Sequence, residues 1–181
     1  VPKYGLLSTP ATSHLIRKKN AIGGIILSAS HNPGGIDGDF GVKLNISNGG
    51  PAPEIITNKI FKASQLLTSY KICKIQLPDF SEYGTYPYDE TTLEIIDGLT
   101  DYSNLMEKIF DFDQISDFLK KDFSLIFDAM NAVTGPYAKN IFVEKMGLAP
   151  DCVMNGNPLK DFGGLHPDPN LTYASHLADL L

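Results

Sequence analysis

The stretch "AIGGIILSA", residues 21–29, limits the fold most sharply. It is too short for a buried helix and is closed by turn-forming residues, so its length favours a strand covered on both faces, as in parallel sheets. Just before it, "STPATSHLIRKK" offers Ser8 and Thr9 as N-caps, an early Pro10, and an apolar stripe through Leu15 and Ile16. That predicts a helix ending near Asn20. After it, "FGVKLNIS" alternates Phe40, Val42, Leu44 and Ile46 with Gly41, Lys43, Asn45 and Ser47. The alternation predicts a strand with one apolar face and Lys43 on the other.

The same alternation of strand and helix continues along the chain. "PEIITNKIFKASQLL" carries Pro53 and Glu54 at a helix start, then Ile56, Ile60, Phe61 and Leu67 at helical spacing. Residues 71–88 read as loops with one edge strand. "DYSNLMEKIFDFDQISDFLKK" predicts one or two amphipathic helices and "FSLIFDAM" a further buried strand. "GPYAKNIFVEKMG" predicts a helix with Pro136 in its first turn and Gly147 past its end. "NPLKDFGGLHPDPN" reads as a loop and "LTYASHLADLL" as a closing helix. The pattern is α/β, with mixed, largely parallel sheets between helices. A domain boundary is placed near Gly98, dividing the chain into 1–97 and 98–181.

Charge and cysteines narrow the classes. A net charge of −6 argues against nucleic acid as a partner. The one basic cluster, Arg17-Lys18-Lys19, suits the solvated end of a helix. No apolar run approaches the ~20 residues of a membrane span. Val1-Pro2-Lys3-Tyr4 leads into polar sequence with no signal peptide pattern. Cys73 and Cys152 match no metal or redox spacing, which fits a reducing, cytoplasmic location.

The chemistry concentrates in "SASHNPGG", residues 28–35. A serine at a strand-to-loop turn can project its hydroxyl from the sheet edge. Gly34 and Gly35 let backbone amides approach an anion, His31 can donate a hydrogen bond, and Lys43 can supply charge. Three readings stay open on spacing alone: a plain turn, a Ser-His hydrolase, and a phosphoserine site. The hydrolase is the weakest, because neighbouring residues rarely point so that one deprotonates the other, and no G-x-S-x-G elbow is present.

"SASHNPGG" resembles the active-site loop of the α-D-phosphohexomutases, whose usual form has threonine where Ser28 stands. "GDFGVKLNISNGGPAPE", "FDFDQI", "DAMNAVTGPYAKNI" and "DFGGLHPDPNLTYA" are similar, in order, to the eukaryotic phosphoglucomutase branch. The resemblance implies repeated α/β domains of the phosphohexomutase type. Ser30 is then the residue that carries the phosphoryl group, exchanging it with glucose 1-phosphate or glucose 6-phosphate through glucose 1,6-bisphosphate, which also serves as activator. Lys43 matches the lysine assigned proton transfer at the sugar hydroxyl. His31 either orients phosphoserine or substrate, or steadies the loop. The resemblance also implies one Mg²⁺, with Ser30 a ligand through its phosphoryl oxygen.

The Asp-Gly-Asp-Gly-Asp metal loop of the family is not found in the chain. Asp37 and Asp39 are the nearest local carboxylates but follow the serine loop, and Asp161 and Asp168 read as structural acceptors of backbone amides. The remaining ligands are expected beyond Leu181. The chain is therefore expected to be an internal piece: the later part of a first domain with the serine loop and most of a second, inactive alone. A non-catalytic scaffold of the parafusin type and a mutase for another hexose phosphate are the rival readings.

Overall fold

In the computed structural model the described residues are 1–33, 35–121 and 123–180. The elements are α1 (Thr9–Lys18), β1 (Gly23–Leu27), β2 (Val42–Ile46), α2 (Glu54–Gln65), β3 (Gly84–Tyr88), β4 (Thr91–Ile95), α3 (Gly98–Ile109), α4 (Phe112–Lys121), β5 (Phe127–Asp128), α5 (Gly135–Ala138), β6 (Val153–Met154) and α6 (Ser175–Ala178). The class is mixed α/β. Among the described residues the strands form three two-stranded sheets, β1–β2, β3–β4 and β5–β6. The β3–β4 pair is antiparallel and the β5–β6 pair is parallel. No helix among the described residues is long and apolar enough to cross a membrane. The chain forms two compact units: Val1–Ile26 with Lys43–Gly98, and Leu27–Val42 with Leu99 onward.

In the first unit, Ser8 caps α1 by accepting the Ala11 amide, and Pro10 sits in the first turn. Helix α1 buries Ala11, Leu15 and Ile16. The paired glycines of β1 are there for close approach. A Cβ on Gly24 would lie 2.8 Å from the Ile16 side chain, and one on Gly23 2.6 Å from the Asn45 carbonyl oxygen. Only glycine lets helix and neighbouring strand come that near.

Two expectations about these strands are corrected. Ile26 is buried in β1, but Ile25 is 71% exposed and Leu27 is exposed too. Among the described residues β1 pairs with β2 alone, and the apolar run is covered over part of its surface. In β2 the buried residue is polar: Asn45 is 3% exposed, while Phe40 and Val42 are exposed. The Asn45 side chain donates to the Gly49 carbonyl at 2.9 Å and to Ser13 Oγ at 3.3 Å. Those bonds satisfy a buried amide and tie β2 to α1 and to the turn after it.

Helix α2 starts after Pro53 as its sequence predicts, yet buries none of its residues. Residues 84–95 form a hairpin across Asp89-Glu90, with Asp89 at φ 46°. Strand β3 fits the expected edge strand, and β4 is additional. The N-terminal residues join this region: Lys3 N donates to Ile96 O and Ile96 N to Val1 O.

The second unit packs around Phe112, Ala129, Met130, Tyr137, Ala138, Met146 and Cys152. The one or two amphipathic helices expected at 101–121 are two, α3 and α4. The Ser116 hydroxyl donates to the buried Met146 carbonyl at 2.7 Å, and Lys145 pairs with Glu107 at 2.6 Å. Helix α5 continues through a π-helical stretch, Lys139–Lys145, and stops before Gly147 at φ +67°. The strand expected over 123–130 is confined to Phe127–Asp128, because Met130 and Asn131 take positive φ values and end it. The expected closing helix is confined to Ser175–Ala178.

Candidate functional site

The loop that leaves β1 is zipped at its base. The Ser28 amide donates to the Gly41 carbonyl at 2.9 Å. A Cβ on Gly41 would stand 2.2 Å from the Ser28 carbonyl oxygen, so no other residue fits there without moving the backbone. Above that base the chain turns at Ala29–Asn32, where the Asn32 amide donates to Ala29 O at 3.2 Å.

Ser30 sits in this turn at φ 62°, in the left-handed region that non-glycine residues seldom occupy. Its amide donates to Ser28 Oγ at 3.1 Å. Ser30 and His31 are both exposed. Ser30 Oγ lies 3.4 Å from His31 Nδ1, with the imidazole tautomer deciding which group donates. That separation is at the long end for a hydrogen bond, so the two side chains face each other without locking. Strained conformations of this kind gather at functional sites and persist where surrounding bonds enforce them.

The returning limb is tied across the loop. Asn32 Nδ2 donates to Asp39 Oδ2 at 2.7 Å, and the Asp39 amide donates to Pro33 O at 3.3 Å. Gly35 takes φ +104°. Gly34, assigned an anion-facing amide from the sequence, lies outside the described residues. Of the predicted site residues, the loop brings Ser30 and His31 together. Lys43, the second residue of β2, is exposed and belongs to the other compact unit.

Among the described residues the carboxylates do not gather into a cation site. Among the described residues no three of His, Cys, Asp and Glu converge on one point. Asp37 is exposed, and one Asp39 carboxylate oxygen is held by Asn32. Asp161 is a structural acceptor, its Oδ1 taking the Gly163 amide at 3.1 Å. At Asp168 the Asn170 amide goes instead to the backbone carbonyl.

A second polar centre, which no sequence pattern announced, lies at the carboxyl ends of β5 and β6. Open α/β sheets commonly bind ligands at such ends. The Asp128 side chain is only 3% exposed. Its Oδ1 accepts from the Met130 amide at 2.8 Å and from Asn155 Nδ2 at 2.9 Å, and Oδ2 lies 2.8 Å from His176 Nε2 on α6. Burial by itself pushes the carboxyl up, but the bonds from Met130, Asn155 and His176 outweigh it and hold it below the ordinary carboxylate range. Residues 128 and 176 are far apart in sequence, and neither stands in a ligand or catalytic spacing. Cys152, buried nearby in the same unit, has its thiol pushed up by burial, which disfavours the reactive thiolate.

The chain is similar in sequence to proteins of known family. Residues 1–71 match the family described as phosphoglucomutase/phosphomannomutase, alpha/beta/alpha domain I. The chain is 52% identical over 181 residues to the phosphoglucomutase of Emericella nidulans, covering 99% of this chain and 33% of that protein. Along nearly its whole length the chain is similar to phosphoglucomutases. The chloroplastic phosphoglucomutase of Arabidopsis thaliana is likewise 52% identical, across the whole chain and 29% of its own length. Among solved structures of the family, the exocytosis-sensitive phosphoprotein pp63/parafusin (phosphoglucomutase) of Paramecium, in an open form, superposes with a TM-score of 0.92. It is 44% identical, over 99% of this chain and 34% of that one. The chain thus spans about a third of the length of these phosphoglucomutase relatives.

Proposed function

We propose that this chain forms the phosphoserine-bearing part of a phosphoglucomutase that interconverts glucose 1-phosphate and glucose 6-phosphate. One observation carries the reading: Ser30 is exposed and held left-handed in a doubly tied loop, in a chain matching phosphoglucomutases along its length. Phosphoryl transfer asks little covalent chemistry of a protein beyond placing the group and neutralising its charge. A loop that fixes one hydroxyl in the open meets the first requirement.

In the proposed cycle a sugar hydroxyl oxygen attacks the phosphorus on Ser30. The bond from phosphorus to Ser30 Oγ breaks as the bond to the sugar oxygen forms, giving glucose 1,6-bisphosphate. The proton that leaves the sugar hydroxyl passes by way of Lys43 to the freed Ser30 oxygen, so that protons balance. After the bisphosphate turns over in the site, its other phosphoryl group returns to Ser30. His31, 3.4 Å from Ser30 Oγ, orients the phosphoserine. The similarity to phosphoglucomutases supports Mg²⁺ as the charge-neutralising ion. A phosphoryl oxygen on Ser30 would be one ligand, and the described residues do not supply a complete set.

The same reading divides the chain into a domain 1–97 that carries the serine loop and a domain 98–181; the break between compact units after Gly98 supports that boundary, while the units group residues 27–42 with the second. Free Cys73 and Cys152 support a reducing compartment, which we take as the cytoplasm. The chloroplastic relative shows that family members work elsewhere too.

The deciding experiment supplies the complete polypeptide with glucose 1-phosphate, Mg²⁺ and a trace of glucose 1,6-bisphosphate. Wild type should turn over and carry label from the bisphosphate on Ser30. Ser30→Ala should lose nearly all turnover with its circular dichroism unchanged, and comparable turnover by that variant overturns the assignment. The similarity to the Paramecium phosphoprotein favours one further reading, a signalling scaffold. A labelled Ser30 with no mutase activity would select it. Competition between glucose and mannose 1-phosphates fixes the sugar.

A further inference from the structure

We propose that Asp39 is a positioning residue for Ser30, acting through the side chain of Asn32; this rests on the phosphoserine reading of Ser30. The turn Ala29–Asn32 holds Ser30 against its backbone preference, at φ 62°. Such a conformation survives only where neighbouring bonds over-determine it. Among the described residues three bonds close on this turn. The Ser30 amide is taken by Ser28 Oγ, the Asn32 amide by Ala29 O, and the Asn32 side chain by Asp39 Oδ2. The first two are local to the turn. Only the third fastens it to the returning limb, and at 2.7 Å to a carboxylate it is the short, charge-assisted kind.

Asn32 therefore works as a hinge pin with both ends occupied, its backbone closing the Ser30 turn and its amide group gripping Asp39. The limb that carries Asp39 is itself anchored, through Asp39 N to Pro33 O and through the Ser28–Gly41 bond at the base. Without the Asn32–Asp39 bond, an exposed loop containing Pro33 and Gly35 regains conformational freedom that must be lost again at each transfer. A displacement of about 1 Å at a transferring group costs on the order of a hundredfold in rate. An acceptor oxygen at position 39 is what the geometry requires. The negative charge is secondary, which separates this role from that of a cation ligand.

The test uses Asp39→Ala, Asp39→Asn, Asn32→Ala and the double alanine variant in the complete polypeptide, assayed with glucose 1-phosphate and Mg²⁺. Asp39→Ala and Asn32→Ala should each lower kcat by about tenfold to a hundredfold with KM within about twofold. The double variant should be no worse than either single one, since both break one bond. Asp39→Asn keeps an acceptor oxygen and should recover most of kcat at unchanged Mg²⁺ demand. Hydrogen exchange on the complete polypeptide gives a readout independent of turnover. The Ser30 and Asn32 amides should exchange at least about tenfold faster in both alanine variants and near the wild-type rate in Asp39→Asn. Multiplying effects in the double variant, failure of Asp39→Asn to rescue, or unchanged exchange would each overturn the proposal. If Ser30→Ala kept its turnover, the phosphoserine reading would fail, while the exchange rates would still decide whether Asp39 holds the turn.

Discussion

Asp128 offers the sharpest quantitative test of the second unit. Replacing it with alanine removes an acceptor used by three donors. The Met130 amide is partly buried, and leaving such a donor empty costs about 1–3 kcal/mol. Asn155 is exposed and can rehydrate, so its bond adds about 0.5–1.5 kcal/mol. His176 is 45% exposed, and an ion pair that open adds about 0–1 kcal/mol. Taken together, Asp128→Ala should cost roughly 3 kcal/mol at pH 7, a large part of the ~5–15 kcal/mol that stabilises a domain.

The pH dependence has a definite sign. The folded carboxyl is held below its ordinary value, so its stabilisation is complete above the unfolded value of ~3.9 and is lost as pH falls through the folded one. Asp128→Ala should therefore flatten the acid limb of the stability profile as well as lower its plateau. Urea titrations at several pH values, followed by near-ultraviolet circular dichroism, measure both. Tyr137, buried and edge-to-face with Tyr102 at 5.6 Å, reports on the unit concerned. A loss below about 1 kcal/mol, or an acid limb as steep as wild type, would show that these bonds do not hold the strand ends together.

Two serines on adjacent helices should respond oppositely to the same change. Ser103 is fully buried and its hydroxyl has no partner among the described residues, so Ser103→Ala should be neutral or stabilising by about 1 kcal/mol in urea titrations. Ser116 donates to the buried Met146 carbonyl, and Ser116→Ala should cost about 1–2 kcal/mol in the same assay. Gly41→Ala should force the loop base apart, because its Cβ would meet the Ser28 carbonyl at 2.2 Å; accelerated exchange of the Ser28 amide is the readout. In the complete polypeptide, Lys43→Ala should cut turnover by about a hundredfold or more while Ser30 still accepts label, and a near-normal rate with an unchanged pH profile would reassign Lys43.

The sequence by itself determined whatever is decided within a few residues. Ser8 and Pro10 at the start of α1, Pro53 at that of α2, and Pro136 and Gly147 around α5 all act through local dihedral preferences and end-group hydrogen bonds. They are visible in a single chain for that reason. The turn at Ala29–Asn32 was equally legible, because its residue types stand side by side. The β3–β4 hairpin was harder, since Asp-Glu is not a usual hairpin turn and Pro87 argues against a strand.

Only the tertiary structure decided which groups lose contact with water and which distant ones meet. It buried Asn45 and left Phe40 and Val42 exposed, against the alternation of the strand, because Gly49 and Ser13 supply partners for the amide. It brought His176 to Asp128 and Asp39 to Asn32. Such pairings depend on how the backbone returns on itself, and side-chain spacing along the chain holds no record of that path.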